Sequence, residues 1–436
     1  MIGTLAVLAA LLYCFPWLRP PEIGGVALPL QRVLAWVGLA VLLSCMLLKG
    51  SLRAGPAARG FLRMVALFLL FLVLLLVRQL VYGENFFLLY FLMDLSKYAA
   101  AFATAYLCYH ALSARLVSDQ RLVRSVVLSG TAATFLVFGF LALYFAGFRT
   151  EWELIAPSFG GALGVWPTDA LLPRLAGTTA EPQQLSVALL TPMLLMLSPQ
   201  YLRRFWPVAL LSGCALLLSQ SKFALVSVMV AGLYVMLVYR RARLPIGLAA
   251  LILGPAIALV FVQLPTIAGT LQSGLSARAL IERLENLVLM VSIIREHPFL
   301  GIGAGHYGVY RGQVIYGDWS YDPGYAPNMD FLKVFAETGL FGFVLILLLL
   351  GSLVRRFIRS YRRVPAETRP VYLALLLGGL TIVLNMTIGY ELLHAFFWIN
   401  VGVLLFYVDR AYSGQEPNPP SDANLLEPAT SPSAHP

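Results

Sequence analysis

Charge is what this chain of 436 residues has least of. Asp, Glu, Lys and Arg together make up 12% of it, against roughly 25% in ordinary soluble domains. A protein of this length folded in water needs an ionised coat, and this one cannot make it. With 59% hydrophobic residues and a mean hydropathy of +0.80, a soluble enzyme, a disordered chain and a fibrous repeat are excluded together. Cysteine is also scarce. Cys14, Cys45, Cys108 and Cys214 lie in or beside apolar runs and read as small core residues. No cluster of His or carboxylates has metal-ligand spacing, so neither a metal nor another cofactor is expected. Acidic residues are outnumbered 21 to 31, for a net charge of +10. The basic residues fall in short clusters between apolar runs. There they set membrane topology, and no nucleic-acid partner is expected.

What is abundant is long apolar sequence. A transmembrane helix takes about 20 mostly apolar residues. Twelve candidates centre near residues 10, 38, 72, 100, 135, 190, 211, 230, 254, 343, 379 and 402. The first lacks a basic leader and a small-residue cleavage site before Arg19-Pro20-Pro21, so a retained helix is expected. Basic clusters follow every second span: Lys49 to Arg63, Arg115 to Arg124, Arg203 and Arg204, Arg240 to Arg243, Arg355 to Arg369, and Arg410. The positive-inside rule makes these cytoplasmic, with both termini inside.

The expected fold is therefore an all-α polytopic membrane protein of about twelve transmembrane helices. Residues 1–147 hold the N-terminal spans, 184–264 the middle ones and 331–412 the C-terminal ones. Between them lie two long outer loops, 148–183 and 265–330, of a length that is usually functional. Residues 413–436, rich in Pro, Ser, Ala and Asn, read as a disordered cytoplasmic tail.

The second loop opens with an amphipathic helix over about 276–296, whose apolar stripe runs from Ala277 to Ile294. Arg278 can pair with Glu282 one turn on. Arg283 has no acidic residue three or four positions away and flanks the stripe. Two readings stand: a phosphate ligand and an arginine snorkelling to lipid headgroups. Next comes His297-Pro298-Phe299-Leu300-Gly301-Ile302-Gly303-Ala304-Gly305-His306, whose glycines let the backbone turn tightly and approach a ligand. The plainer reading is a loop re-entering between helices. Tyr310, Tyr316, Trp319, Tyr321 and Tyr325, with Asp318 and Asp322, suit sugar rings, although aromatics also gather at membrane interfaces.

The first loop ends in Arg174-Leu175-Ala176-Gly177-Thr178-Thr179-Ala180-Glu181-Pro182. A third outer segment is Ser219-Gln220-Ser221-Lys222. Arg174, Lys222 and Arg283 thus bring three cations to one face. A diphosphate suits them, and three unrelated interface anchors are the alternative. Asp94 with Lys97, and Lys333 with Glu337, read as structural pairs within helices.

In that order, these segments resemble the bacterial O-antigen polymerase and ligase superfamily (Wzy-type polymerases and their ligase relatives). The resemblance rests on Arg174-Leu175-Ala176-Gly177 with Glu181-Pro182, on Ser219-Gln220-Ser221-Lys222, on Arg283 before Pro298-Phe299-Leu300-Gly301-Ile302-Gly303, and on Pro327-Asn328-Met329-Asp330 running into Glu337-Thr338-Gly339-Leu340. It covers about 170–342. It implies a C-type (GT-C-like) membrane glycosyltransferase in the bacterial inner membrane. Its substrates would be undecaprenyl-diphosphate-linked glycans at the periplasmic face, and it would need no metal. Membrane lipids, a chain-length regulator and a flippase would be its partners. Arg174 and Arg283 match arginines thought to hold the diphosphate. Lys222 stands where many members have Arg. Ligases typically carry His where this chain has Pro327-Asn328, which favours a polymerase. For the base that receives the acceptor proton, Glu181 is the first candidate, then Asp330, then His306. Tyr310, Trp319, Tyr321 and Asn328 are candidate glycan contacts. The alternatives are a ligase acting on lipid A–core and a non-enzymatic lipid-linked-sugar flippase. Flippases usually divide into two similar halves, which this chain does not.

Overall fold

A computed structural model describes residues 1–16, 18, 30–49, 54–82, 87–147, 164–166, 173–179, 181–239, 274–319, 325 and 327–413. The expected span near residue 254, most of the 148–183 loop, Tyr321 and the tail from 414 on lie outside the described residues, as do the side chains of Lys222 and Arg278.

The described residues are helical almost throughout. In order come α1 (Ile2–Leu11), α2 (Leu30–Lys49), α3 (Pro56–Tyr82), α4 (Leu88–Ser113), α5 (Asp119–Phe145), α6 (Pro182–Met196), α7 (Pro199–Leu218) and α8 (Lys222–Val238). Then come α9 (Gly274–Glu296), α10 (Tyr307–Tyr316), α11 (Asp330–Ser360), α12 (Arg369–Asn385) and α13 (Ala395–Ser413). Local chemistry sets several starts. The Ser118 hydroxyl accepts from the Arg121 N–H and the Ser221 hydroxyl from the Phe223 N–H, while Pro182 and Pro199 open α6 and α7. Between α5 and α6 the structure adds a two-stranded antiparallel hairpin, β1 (Gly164–Trp166) with β2 (Arg174–Gly177), pairing Trp166 with Arg174. The sequence reading anticipates only a loop there.

Among the described residues, Pro56–Val81, Asp119–Phe145, Pro199–Leu218 and Asp330–Arg363 are long and apolar enough to cross a membrane. Shorter apolar helices run over Ile2–Leu11, Leu30–Cys45, Phe223–Val238 and Arg369–Asn385. Helix α3 shows what solvates the molecule. Phe61, Val65, Phe68, Leu72 and Leu75 recur at helical spacing and are buried, yet Leu67, Leu70, Leu74, Val77 and Leu80 on the other side are each more than half exposed. An apolar belt of this extent is stable against lipid and a liability in water. Inside the bundle, α13 packs along α4. Trp398 is fully buried there, edge-on to Phe102 at 4.8 Å. A Cβ at Gly402 would overlap the Ala105 carbonyl, so a residue without a side chain sets that crossing.

Contacts between distant segments sort into two ends. At one end Gln31 donates to the Leu12 carbonyl, Phe87 N–H to His306, and Arg174 to the Ser219 carbonyl. At the other, the Asp409 carboxylate accepts from Ala57 N–H, Arg410 pairs with Asp119 at 3.5 Å, and the Tyr239 hydroxyl donates to Leu197. Successive described connections alternate between these ends. The candidate site lies at the first.

The glycine segment packs against α11, not around an open space. Gly339 inside α11 has φ 65° and ψ −170°, so the helix breaks there. Gly303 N–H donates to the Glu337 carbonyl at 2.8 Å, Ile302 N–H to Ala336, and Leu340 N–H to Pro298. A Cβ at Gly301 would overlap the Glu337 carbonyl, and one at Gly339 would overlap the backbone of Phe299 and Leu300. The close approach is therefore to the chain's own backbone. Beneath it, Lys333 bridges Asp94 at 3.1 Å and Glu337 at 3.7 Å, and Asp94 also holds Lys97. Both expected pairs are present, joined into one buried set.

Candidate functional site

Arg174 begins β2, in register with Trp166. The strand carries it to the turn after α7, where its Nε–H donates to the Ser219 carbonyl at 3.4 Å. That turn is held by the Ser219 hydroxyl, which meets the Ser186 hydroxyl of α6 at 2.8 Å. Gln220 there takes φ 50°. Two motifs 45 residues apart thus meet. After β2 the chain turns sharply. Thr178 donates to the Cys14 carbonyl at 2.5 Å, and Thr179 to the carbonyls of Ala176 and Glu181. These bonds fix Glu181 at the N-terminus of α6.

Glu181 is where the segments converge. Both of its carboxylate oxygens lie 3.4 Å from Asn328 Nδ2. Burial pushes its pKa up; the Asn328 hydrogen bond, Arg283 and Arg174 pull it back, and Glu282 adds to the rise. Arg174 is lowered by burial and by the like charge of Arg283, against the opposite charge of Glu181. Arg174, Glu181, Arg283 and Asn328 therefore form one electrostatic unit. Arg283 is exposed while Arg174, Glu181 and Asn328 are partly buried, so the unit opens at the surface. Two guanidinium groups within electrostatic range of one carboxylate leave an excess of positive charge able to hold a polyanion. A carboxylate whose proton affinity is raised can act as a base.

A fifth segment closes the site from behind; from sequence its Glu391 and His394 have no obvious partner and are not counted as site residues. The connection between α12 and α13 accepts the Asp330 N–H at the Gly389 carbonyl, 3.0 Å, and returns the Leu392 N–H to Asp330 Oδ2, 2.7 Å. Gln183 donates to Asn385 at 2.9 Å, and Gln184 meets His394 at 2.8 Å. Glu391 is buried beside Gly389. Burial first, and then Asp330, raise its pKa.

The other expected residues fall elsewhere. His306 accepts from Phe87 N–H at Nε2 (3.0 Å), and its Nδ1 meets the Ala304 carbonyl (3.0 Å). Burial lowers its pKa. It belongs to the α3–α4 side, not to the Glu181 unit. Tyr310 is tied to Glu296 at 3.1 Å, and Trp319 is partly buried. Lys222 opens α8 beside the Ser219 turn, which puts its backbone close to Arg174. The described residues include no group of three or more His, Cys, Asp or Glu able to hold a metal. A cavity of about 30 Å³, bounded by Gln31, Arg32, Lys97 and His394, has room for about one water and lies outside the unit.

Residues 207–347 match the family model described as O-antigen ligase. The match covers about a third of the chain. It takes in the Ser219 turn, Arg283, the glycine segment and Asn328, and leaves out Arg174 and Glu181. No curated protein matches the chain. Over these residues the match supports the resemblance to the O-antigen polymerase and ligase superfamily.

Proposed function

We propose that this protein is a membrane glycosyltransferase that polymerises polyprenyl-diphosphate-linked oligosaccharide units, with undecaprenyl diphosphate as the carrier. The observation that carries this reading is that Arg174, held on the Ser219 turn, Glu181, bonded to Asn328, and Arg283 come from separate segments into electrostatic range of one another. An acceptor hydroxyl attacks the anomeric carbon of the donor sugar. The bond from that carbon to the diphosphate oxygen breaks, and the electron pair leaves with the diphosphate. Arg174 and Arg283 stabilise the charge that grows there. The acceptor proton goes to Glu181. Asn328 donates to the carboxylate of Glu181, and Pro327, standing where ligases typically carry His, favours a polymerase over a ligase.

The setting proposed with it is a bacterial inner-membrane protein of about twelve helices, GT-C-like. Its site faces the periplasm, and a flippase and a chain-length regulator work beside it. The test is purified protein given lipid-linked repeat units alone. A ladder of lengthened lipid-linked glycans is expected. If chains never lengthen but preformed glycan moves to added lipid A–core, the protein is a ligase and the polymerase reading falls.

A further inference from the structure

Arg311 lies in the middle of α10, 7% exposed. It makes no hydrogen bond and no ion pair among the described residues, and its Nε is sealed from solvent without a partner. Its guanidinium sits 4.1 Å from the Tyr325 ring centre and 5.7 Å from that of Tyr316. The carboxylates around it are committed elsewhere. Glu282 accepts from the Tyr325 hydroxyl at 2.9 Å, Glu296 from Tyr310, and Glu337 from Tyr307 N–H while facing Lys333.

A guanidinium has five donors in a rigid fork. Ring faces attract its charge but satisfy none of those donors, and an apolar side chain would fill the same space without the desolvation cost. The group that completes the fork is a planar anion bound through two parallel hydrogen bonds. We propose that Arg311 is a second anion site, taking the carboxylate of an acidic sugar in the glycan chain. That the ligand is a glycan rests on the function proposed above.

The placement points the same way. The Tyr325 ring lies against Arg311, and its hydroxyl is bound to Glu282 and to Asn286. Glu282 precedes Arg283 in α9, and its charge is felt at Glu181. One side of Tyr325 thus faces Arg311, and its hydroxyl edge faces the diphosphate unit. A ligand anchored by its diphosphate at Arg174 and Arg283 reaches Arg311 with its sugars. Tyr316, 48% exposed, offers a ring for such a sugar to stack on.

The test needs no turnover. Full-length protein in detergent is titrated calorimetrically with a glucuronate-containing oligosaccharide and with the same oligosaccharide after its carboxyl has been reduced to the alcohol. The wild type should bind the acidic form about tenfold more tightly or better. Arg311→Gln should bring the two affinities together, and Arg311→Lys should restore part of the difference. Unchanged elution and melting temperature verify folding of the variants, and the wild-type comparison stands even if a variant does not fold. Equal binding of the two probes by the wild type, or an undiminished difference in Arg311→Gln, overturns the proposal. If the acidic probe binds selectively but no glycan is ever extended, the polymerase reading fails while the site stands.

Discussion

At the scale of single residues, the duties proposed for the two arginines and for Glu181 separate experimentally. Arg174→Ala and Arg283→Ala should each lower turnover about 10²–10³-fold, the usual cost of removing one donor to a developing anion, in protein that still inserts; assays on lipid-linked units give the ratio. Glu181 must be deprotonated to accept a proton, and burial raises its pKa. The acid limb of the pH–rate profile should therefore lie above the roughly 4.3 of a free glutamate. Asn328 bonds to the charged form and holds the pKa down, so Asn328→Ala should move that limb to higher pH. A limb that stays in place would remove Glu181 as the base. Arg174, Glu181 and Arg283 were legible in the sequence because free cations and a carboxylate stand out on outer segments of an apolar chain. Glu391 was not, since a lone carboxylate between two apolar helices carries no spacing signal. The structure alone puts it beside Asp330.

Elements hold together here by backbone contact as much as by side chains. Gly339→Ala places a side chain in a φ/ψ region almost reserved for glycine, a cost of about 1–3 kcal/mol, before its overlap with Phe299. Gly351 lies in the same helix with open space around its Cβ position. Gly351→Ala should hold or raise the melting temperature in detergent, while Gly339→Ala and Gly301→Ala lower it; equal behaviour of all three would deny the interlock. Lys333→Met removes the bridge between Asp94 and Glu337 and should destabilise by roughly 3–5 kcal/mol, as breaking a buried ion pair does. The same melts measure it. The pairs within each helix were readable from their i,i+3 and i,i+4 spacing. Their fusion was not, because Asp94 and Lys333 are 239 residues apart and only the packing of α11 against α3, which itself packs on α4, brings them together.

For the whole molecule, the alternation of basic clusters along the sequence and the alternation of described connections between two ends of the bundle tell the same story. The hairpin, α10 and the break at Gly339 are what hydropathy does not reveal, since none of them changes the apolar period. Asp318 and Glu367 lie at opposite ends. In a background with all four cysteines replaced by serine, Asp318→Cys should react with an impermeant thiol reagent in intact spheroplasts and Glu367→Cys only after lysis. The reverse pattern would invert the proposed sidedness and with it the chemistry. The contact between Asn328 and Glu181 has a consequence for heredity. It joins the stretch that matches the superfamily model to a residue outside that stretch. A recombination joint falling between Pro182 and Pro207 would leave the matched stretch intact in the offspring, yet it would mate one lineage's Arg283 and Asn328 with another's Arg174 and Glu181. Such hybrids should insert and fold while failing in transfer, so the two halves of this site are bound to be inherited together.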